Sequence, residues 1–137
     1  MALVEQLAEI ELFSELSKKE LKKIASFMTP ITVKAGRDLT VQGQPGREFM
    51  IIAEGKATVR RNGRVLARYQ PGDFFGELAV IAGVPRTATV TADTDMVVEA
   101  LNRREFSSML DESPKLAKKI LAGAVKRLYE IEEGVVK

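Results

Sequence analysis

Gly76, Glu77 and Arg86 bring a glycine, a carboxylate and a guanidinium into one short stretch, Gly72 to Val90, between two apolar segments. That grouping reads as a pocket for a sugar phosphate. A glycine lets the backbone approach a ligand, and the residues after Gly76 can open a short helical turn whose free N–H groups point at an anion. Arg86 supplies the countercharge, because a guanidinium keeps its proton at working pH and grips two phosphate oxygens side by side. Glu77 offers only acceptors, which suits ribose hydroxyls, as an acid reads a ribose in dinucleotide folds. Taken singly, Arg86 fits a solvated Pro-Arg-Thr turn and Glu77 an acid favoured by the first turn of a helix. Their spacing of nine residues, with Gly76 beside Glu77, favours the pocket.

Composition narrows the chemistry further. With 137 residues, 45% hydrophobic, the chain is sized for one domain with a real core. A net charge of +2, with acids and bases nearly balanced, provides no polyanion footprint, and no DNA-reading motif is visible. No direct nucleic-acid binding is therefore expected. The chain has no cysteine and no histidine, so it lacks thiolate sites, the usual metal ligand and the usual general base. Neither a phosphodiesterase nor a cupin-like oxygenase can be assembled convincingly from what remains. No apolar run approaches the roughly 20 residues of a membrane span. The start, Met1-Ala2-Leu3-Val4-Glu5, lacks a charged leader. A cytoplasmic protein with no membrane segment is expected.

The elements that must position the site can also be read. Residues from about Leu3 to Met28 have helical spacing, broken near Leu12 to Leu16, and Ser17 with Glu20 forms a capping box that starts the second of two short helices. From Pro30 to Asn102 short runs rich in Val, Ile, Thr and Phe are separated by glycines, which predicts strands in a sandwich or barrel. Asn62-Gly63 marks a two-residue hairpin turn, and Phe74, Phe75, Val80, Ile81, Ala88 and Val90 read mostly as core. Asn102 with Glu105 opens a helix to about Leu110. Ser113 and Pro114 then open a longer one, in which Leu116, Ile120, Leu121, Ala124, Leu128 and Ile131 make one apolar stripe to about Glu133. Gly123 interrupts its propensity, which a close contact or a hinge would explain.

Gly76-Glu77-Leu78-Ala79 followed by Pro85-Arg86-Thr87-Ala88-Thr89-Val90 resembles the phosphate-binding cassette of cyclic nucleotide-binding domains. That module is shared by the catabolite activator protein, protein kinase A regulatory subunits and cyclic nucleotide-gated channels. The resemblance covers nearly the whole chain and implies a mainly β fold, an eight-stranded jelly-roll barrel flanked by N-terminal helices and two C-terminal helices. It implies one domain over 1–137, with helices in 1–28, the jelly roll in 30–102, the cassette in 75–90 and the last helices in 103–133. The amides of Leu78 and Ala79 would donate to a cyclic phosphate, and Thr87 would add another donor. The final helix would close over the base, making Lys126, Arg127 and Tyr129 the candidates for capping a purine.

The implied function is a regulatory sensor that transmits binding through movement of that helix, without catalysis, cofactor or metal. On the bacterial look of the sequence cAMP is favoured. Thr87 keeps cGMP open, since in parts of the family a hydroxyl there bonds the guanine amino group. The effector domain or partner protein is left unspecified. The alternative is the ligand-sensing part of a transcription regulator whose DNA-binding region is absent from this chain, because no helix-turn-helix follows Glu133. Two departures from the family pattern stand out: Arg47, where an acid often follows the glycine, and Val80-Ile81 in place of the commoner paired leucines.

Overall fold

The glycine-punctuated region resolves into eight strands in the computed structural model, which describes residues 3–132. These are β1 (Thr29–Val33), β2 (Asp38–Thr40), β3 (Glu48–Glu54), β4 (Ala57–Arg61), β5 (Arg64–Tyr69), β6 (Phe74–Phe75), β7 (Thr89–Ala92) and β8 (Met96–Asn102). They pair antiparallel into two four-stranded sheets, in the orders β1-β8-β3-β6 and β2-β7-β4-β5. The expected barrel is therefore a two-sheet jelly roll that does not close by strand pairing. Its edges show why: β1 carries Pro30, which has no N–H to give, and β6 is two residues long. The hairpin turn forms as expected, with φ of 53° at Asn62 and 79° at Gly63.

Period-two alternation gives the central strands two buried faces. Met50 and Ile52 of β3, with Val98 and Ala100 of β8, fill the space between the sheets. Phe49, Ile51 and Leu101 point the other way, into a layer built with the helices. That layer comprises α1 (Leu3–Ala8), a 3-10 turn (Glu11–Phe13), α2 (Lys18–Ala25), α4 (Arg103–Glu112) and α5 (Pro114–Glu132). Reciprocal capping boxes at Ser17/Glu20 and Asn102/Glu105 start α2 and α4, and the Ser113 hydroxyl accepts from Leu116 N at 3.3 Å at the start of α5. The expected helix end near Glu133 and the side chain of Ile131 lie outside the described residues.

The single stripe expected on α5 is corrected to two faces. Leu116, Ile120 and Ala124, four residues apart, are buried, the first two against the helix layer. Leu121 and Val125 fall on another face and are exposed, at 62% and 56%, while Leu128, four residues beyond Ala124, continues the first row but is 45% exposed. Gly123 is explained by a close contact: a Cβ there would sit 2.7 Å from Phe74 Cζ. Ile81, expected in the core, is likewise exposed, at the outer side of α3 (Glu77–Ala82).

Candidate functional site

The short helix α3 starts at Gly76, whose φ of +93° lies in the left-handed region that favours glycine. A Cβ on Gly76 would also stand 2.5 Å from the Glu48 carbonyl oxygen and 2.6 Å from Arg86 Nη1. The glycine is thus required by the chain's own contacts, in addition to any clearance for a ligand. In the first turn, Val80 N reaches Gly76 O at 3.3 Å, which leaves the N–H groups of Glu77, Leu78 and Ala79 without intrahelical acceptors.

Arg86 is set by a local backbone ladder. Its N–H donates to Gln44 O at 2.8 Å, and its carbonyl accepts from Gly43 N at 2.9 Å. The side chain then runs past Gly46, where a Cβ would come within 2.5 Å of both Arg86 Nε and Ala79 Cβ. Nη2 donates to Glu48 O at 2.9 Å. Nη1, in contrast, is buried and has no hydrogen-bond partner among the described residues. Burial pushes the Arg86 guanidinium below the ordinary arginine value, and the nearby Glu48 and Glu77 charges oppose that shift. An arginine remains protonated under such a perturbation, so a buried positive charge is held with one donor unused.

Glu77 mirrors this arrangement. It is 2% exposed; Oε1 accepts from Arg127 Nη1 at 3.0 Å, while Oε2 is buried without a partner. Arg127 reaches across from α5, donates Nη2 to Phe74 O at 2.7 Å, and lies over the rings of Tyr69 and Phe74, 5.4 Å from each centroid. Glu77 and Arg86 share the wall of one cavity of about 510 Å³, within the range usual for small-molecule sites. Glu77 also lies in the field of Arg86, so the cavity presents a cation and an anion side by side.

All six residues expected to bind ligand, Gly76, Glu77, Leu78, Ala79, Arg86 and Thr87, line this cavity. So do Lys126 and Arg127. Arg127 is engaged with Glu77 and Phe74, and Tyr129 is 61% exposed and does not line the cavity. Phe75, Ala88 and Val90 line it while also packing between the sheets. Sequence reasoning missed Gly46, the Glu48 carbonyl, Tyr69 and the role of Phe74. Gly46 follows Pro45 in the sequence, and its close approach to Arg86 has no local signature. Among the described residues no group of three or more His, Cys, Asp or Glu could hold a metal ion.

Three comparisons bear on this geometry. The sequence pattern of the cyclic nucleotide-binding domain matches residues 30–113. The chain is 35% identical over 106 residues to a cAMP-dependent protein kinase regulatory subunit of Yarrowia lipolytica, covering 76% of this chain and 28% of that protein. It thus spans little more than a quarter of that relative's length. Its fold is similar to the crystal structure of Thermus thermophilus catabolite activator protein, with TM-score 0.82 and 27% identity over 90% of this chain and 60% of that one. It is also similar to the regulatory subunit of a cAMP-independent protein kinase A from Trypanosoma brucei, with TM-score 0.84 and 25% identity over 96% and 47% of the two chains.

Proposed function

This chain belongs to the cyclic nucleotide-binding domain family, and from that premise we propose that its cavity takes a cyclic nucleotide, cAMP in preference to cGMP, as the input of a regulatory sensor. One observation carries the reading: two residues on the wall of the same cavity, Arg86 and Glu77, each keep a buried atom, Nη1 and Oε2, of opposite charge and without a partner among the described residues. Buried polar groups are nearly always satisfied, so a pair of exceptions in one cavity points to a ligand that completes both. A cyclic phosphate accepts from Arg86 Nη1, the amides of Leu78 and Ala79, and Thr87. The ribose 2′-hydroxyl donates to Glu77 Oε2. Lys126 and Arg127 stand on the α5 side, where the base would lie.

Glu77 also explains how binding would be transmitted. Its other oxygen holds Arg127, so a ligand that claims the carboxylate acts on the position of α5. The shift follows only if the ligand binds one position of the helix better than the other. Residues 1–137 act as one domain in this reading. The sensor makes and breaks no covalent bond, and cAMP incubated with it stays intact. Among the described residues no helix is long and apolar enough to cross a membrane, and the proposed location is the cytoplasm.

The similarity to the catabolite activator protein supports the second reading, the ligand-sensing part of a transcription regulator. DNA binding by the full gene product, abolished by removing sequence beyond 137, separates it from a kinase-type regulator. The cAMP-independent relative makes the ligand itself the point to test. Calorimetric titration of the protein with cAMP, cGMP and linear 5′-AMP should give saturable heat with cAMP, weaker binding of cGMP and the weakest with 5′-AMP. A flat cAMP trace would overturn the reading.

A further inference from the structure

We propose that a second site, on the far side of the cassette from the cavity, docks an acidic segment of a partner protein. A concavity of about 400 Å³ lies between the end of α3 and the start of α4, and Arg47, Arg103 and Arg104 line it. Ala79 belongs to the walls of both hollows, so one helix separates them. Arg103 is preorganised, because its Nε donates to Val80 O at 3.0 Å, which fixes the plane of the guanidinium and leaves both Nη groups to other partners. Arg47 and Arg104 are exposed and make no hydrogen bond or ion pair among the described residues. The acid next in sequence, Glu105, turns its Oε1 back to Asn102 N. Three arginines therefore line one hollow, and no carboxylate among the described residues is bonded to them.

The surroundings select a protein segment over a small anion. Ile81 and Val84 flank Gly83, which lines the hollow, and are 55% and 40% exposed. Arginines beside a segment that carries exposed aliphatic side chains match the composition of protein interfaces, in which a guanidinium contributes both bidentate carboxylate bonds and apolar surface. A free anion would engage the arginines and leave Ile81 and Val84 bare. A peptide with carboxylates around a leucine satisfies both.

The test is an amide chemical-shift titration with a soluble decapeptide bearing three glutamates around one leucine, with its lysine counterpart as control. Saturable shifts are expected at Gly46, Arg47, Gly83, Val84, Arg103 and Arg104, and only with the acidic peptide. Arg47→Glu with Arg104→Glu should weaken binding at least tenfold, and Arg47→Gln with Arg104→Gln by an intermediate factor. The glutamine pair carries the test if the charge-reversed protein does not fold. Four results would each overturn the proposal: no saturable shift, equal affinity in the variants, the same shifts from inorganic phosphate at equal concentration, or tighter binding of a DNA duplex than of the peptide. None depends on cyclic nucleotide, so failure here leaves the cavity's assignment untouched.

Discussion

Glu77 and Glu99 are both buried carboxylates, 2% and 4% exposed, and each has an oxygen without a partner among the described residues. Their surroundings differ in every other respect. Glu77 opens a helix, faces a cavity, holds an arginine with its first oxygen and lies in the field of another. Glu99 sits mid-strand in β8, paired with Pro30 and Ile51, with no hydrogen bond or ion pair to a cation among the described residues. Burial accordingly pushes the Glu99 carboxyl above the ordinary glutamate value. An orphaned oxygen beside fixed charges and open volume suits the ligand proposed for the cavity. One enclosed by a sheet carries a cost that no ligand offsets.

Breaking the cavity side gives the largest expected effect. Arg86→Ala removes the buried cation, and breaking a buried charge pair costs about 3–5 kcal/mol, which is roughly a hundred- to several-thousand-fold in affinity. Calorimetry with cAMP reads it, and a variant binding as tightly as wild type would remove Arg86 from the site. Glu77→Gln should weaken cAMP by about ten- to a hundredfold, the range for one hydrogen bond to a charged group.

Gly123→Ala comes next, at a residue that itself lines the cavity. Helix propensity favours alanine by about 1 kcal/mol, but overpacking against Phe74 costs roughly 1–3 kcal/mol. A small net loss of stability is expected in a thermal melt, together with weaker cAMP binding, because Phe74 also holds Arg127. A more stable variant would show that the contact with Phe74 does not constrain α5.

The smallest effect falls on the structural side. Glu99→Gln should raise stability, by on the order of 1 kcal/mol, without changing cAMP affinity. The pH dependence has a definite sign. With the folded carboxyl raised above its unfolded value, the folded state binds more protons between the two, so this contribution is present below the unfolded pKa and lost as pH rises through the folded one. Urea melts at pH 4 to 8 should show that slope in wild type and less of it in the variant. An unchanged slope would mean that Glu99 ionises as freely as an exposed acid.

What the sequence made legible was local. The two capping boxes, the Asn62-Gly63 turn and the six residues gathered at the cavity wall all lie in short segments whose chemistry is readable from spacing. The parts that escaped are contacts between distant segments. The Arg86 bond to the Glu48 carbonyl spans 38 residues and the Arg127–Glu77 pair spans 50. No periodicity encodes which carbonyl a guanidinium will find. The division of the α5 stripe into two faces was similarly hidden, because which apolar residues are covered depends on the layer they meet.

Whether one ligand completes both the guanidinium and the carboxylate is measured by a double-mutant cycle. cAMP and 2′-deoxy-cAMP are titrated by calorimetry into wild type and Glu77→Gln. Removing the 2′-hydroxyl should weaken binding to wild type by at least tenfold, roughly 1.4 kcal/mol, and change little in the variant. Equal losses in both proteins would show that the hydroxyl never meets Glu77 and that no single ligand spans the two charges.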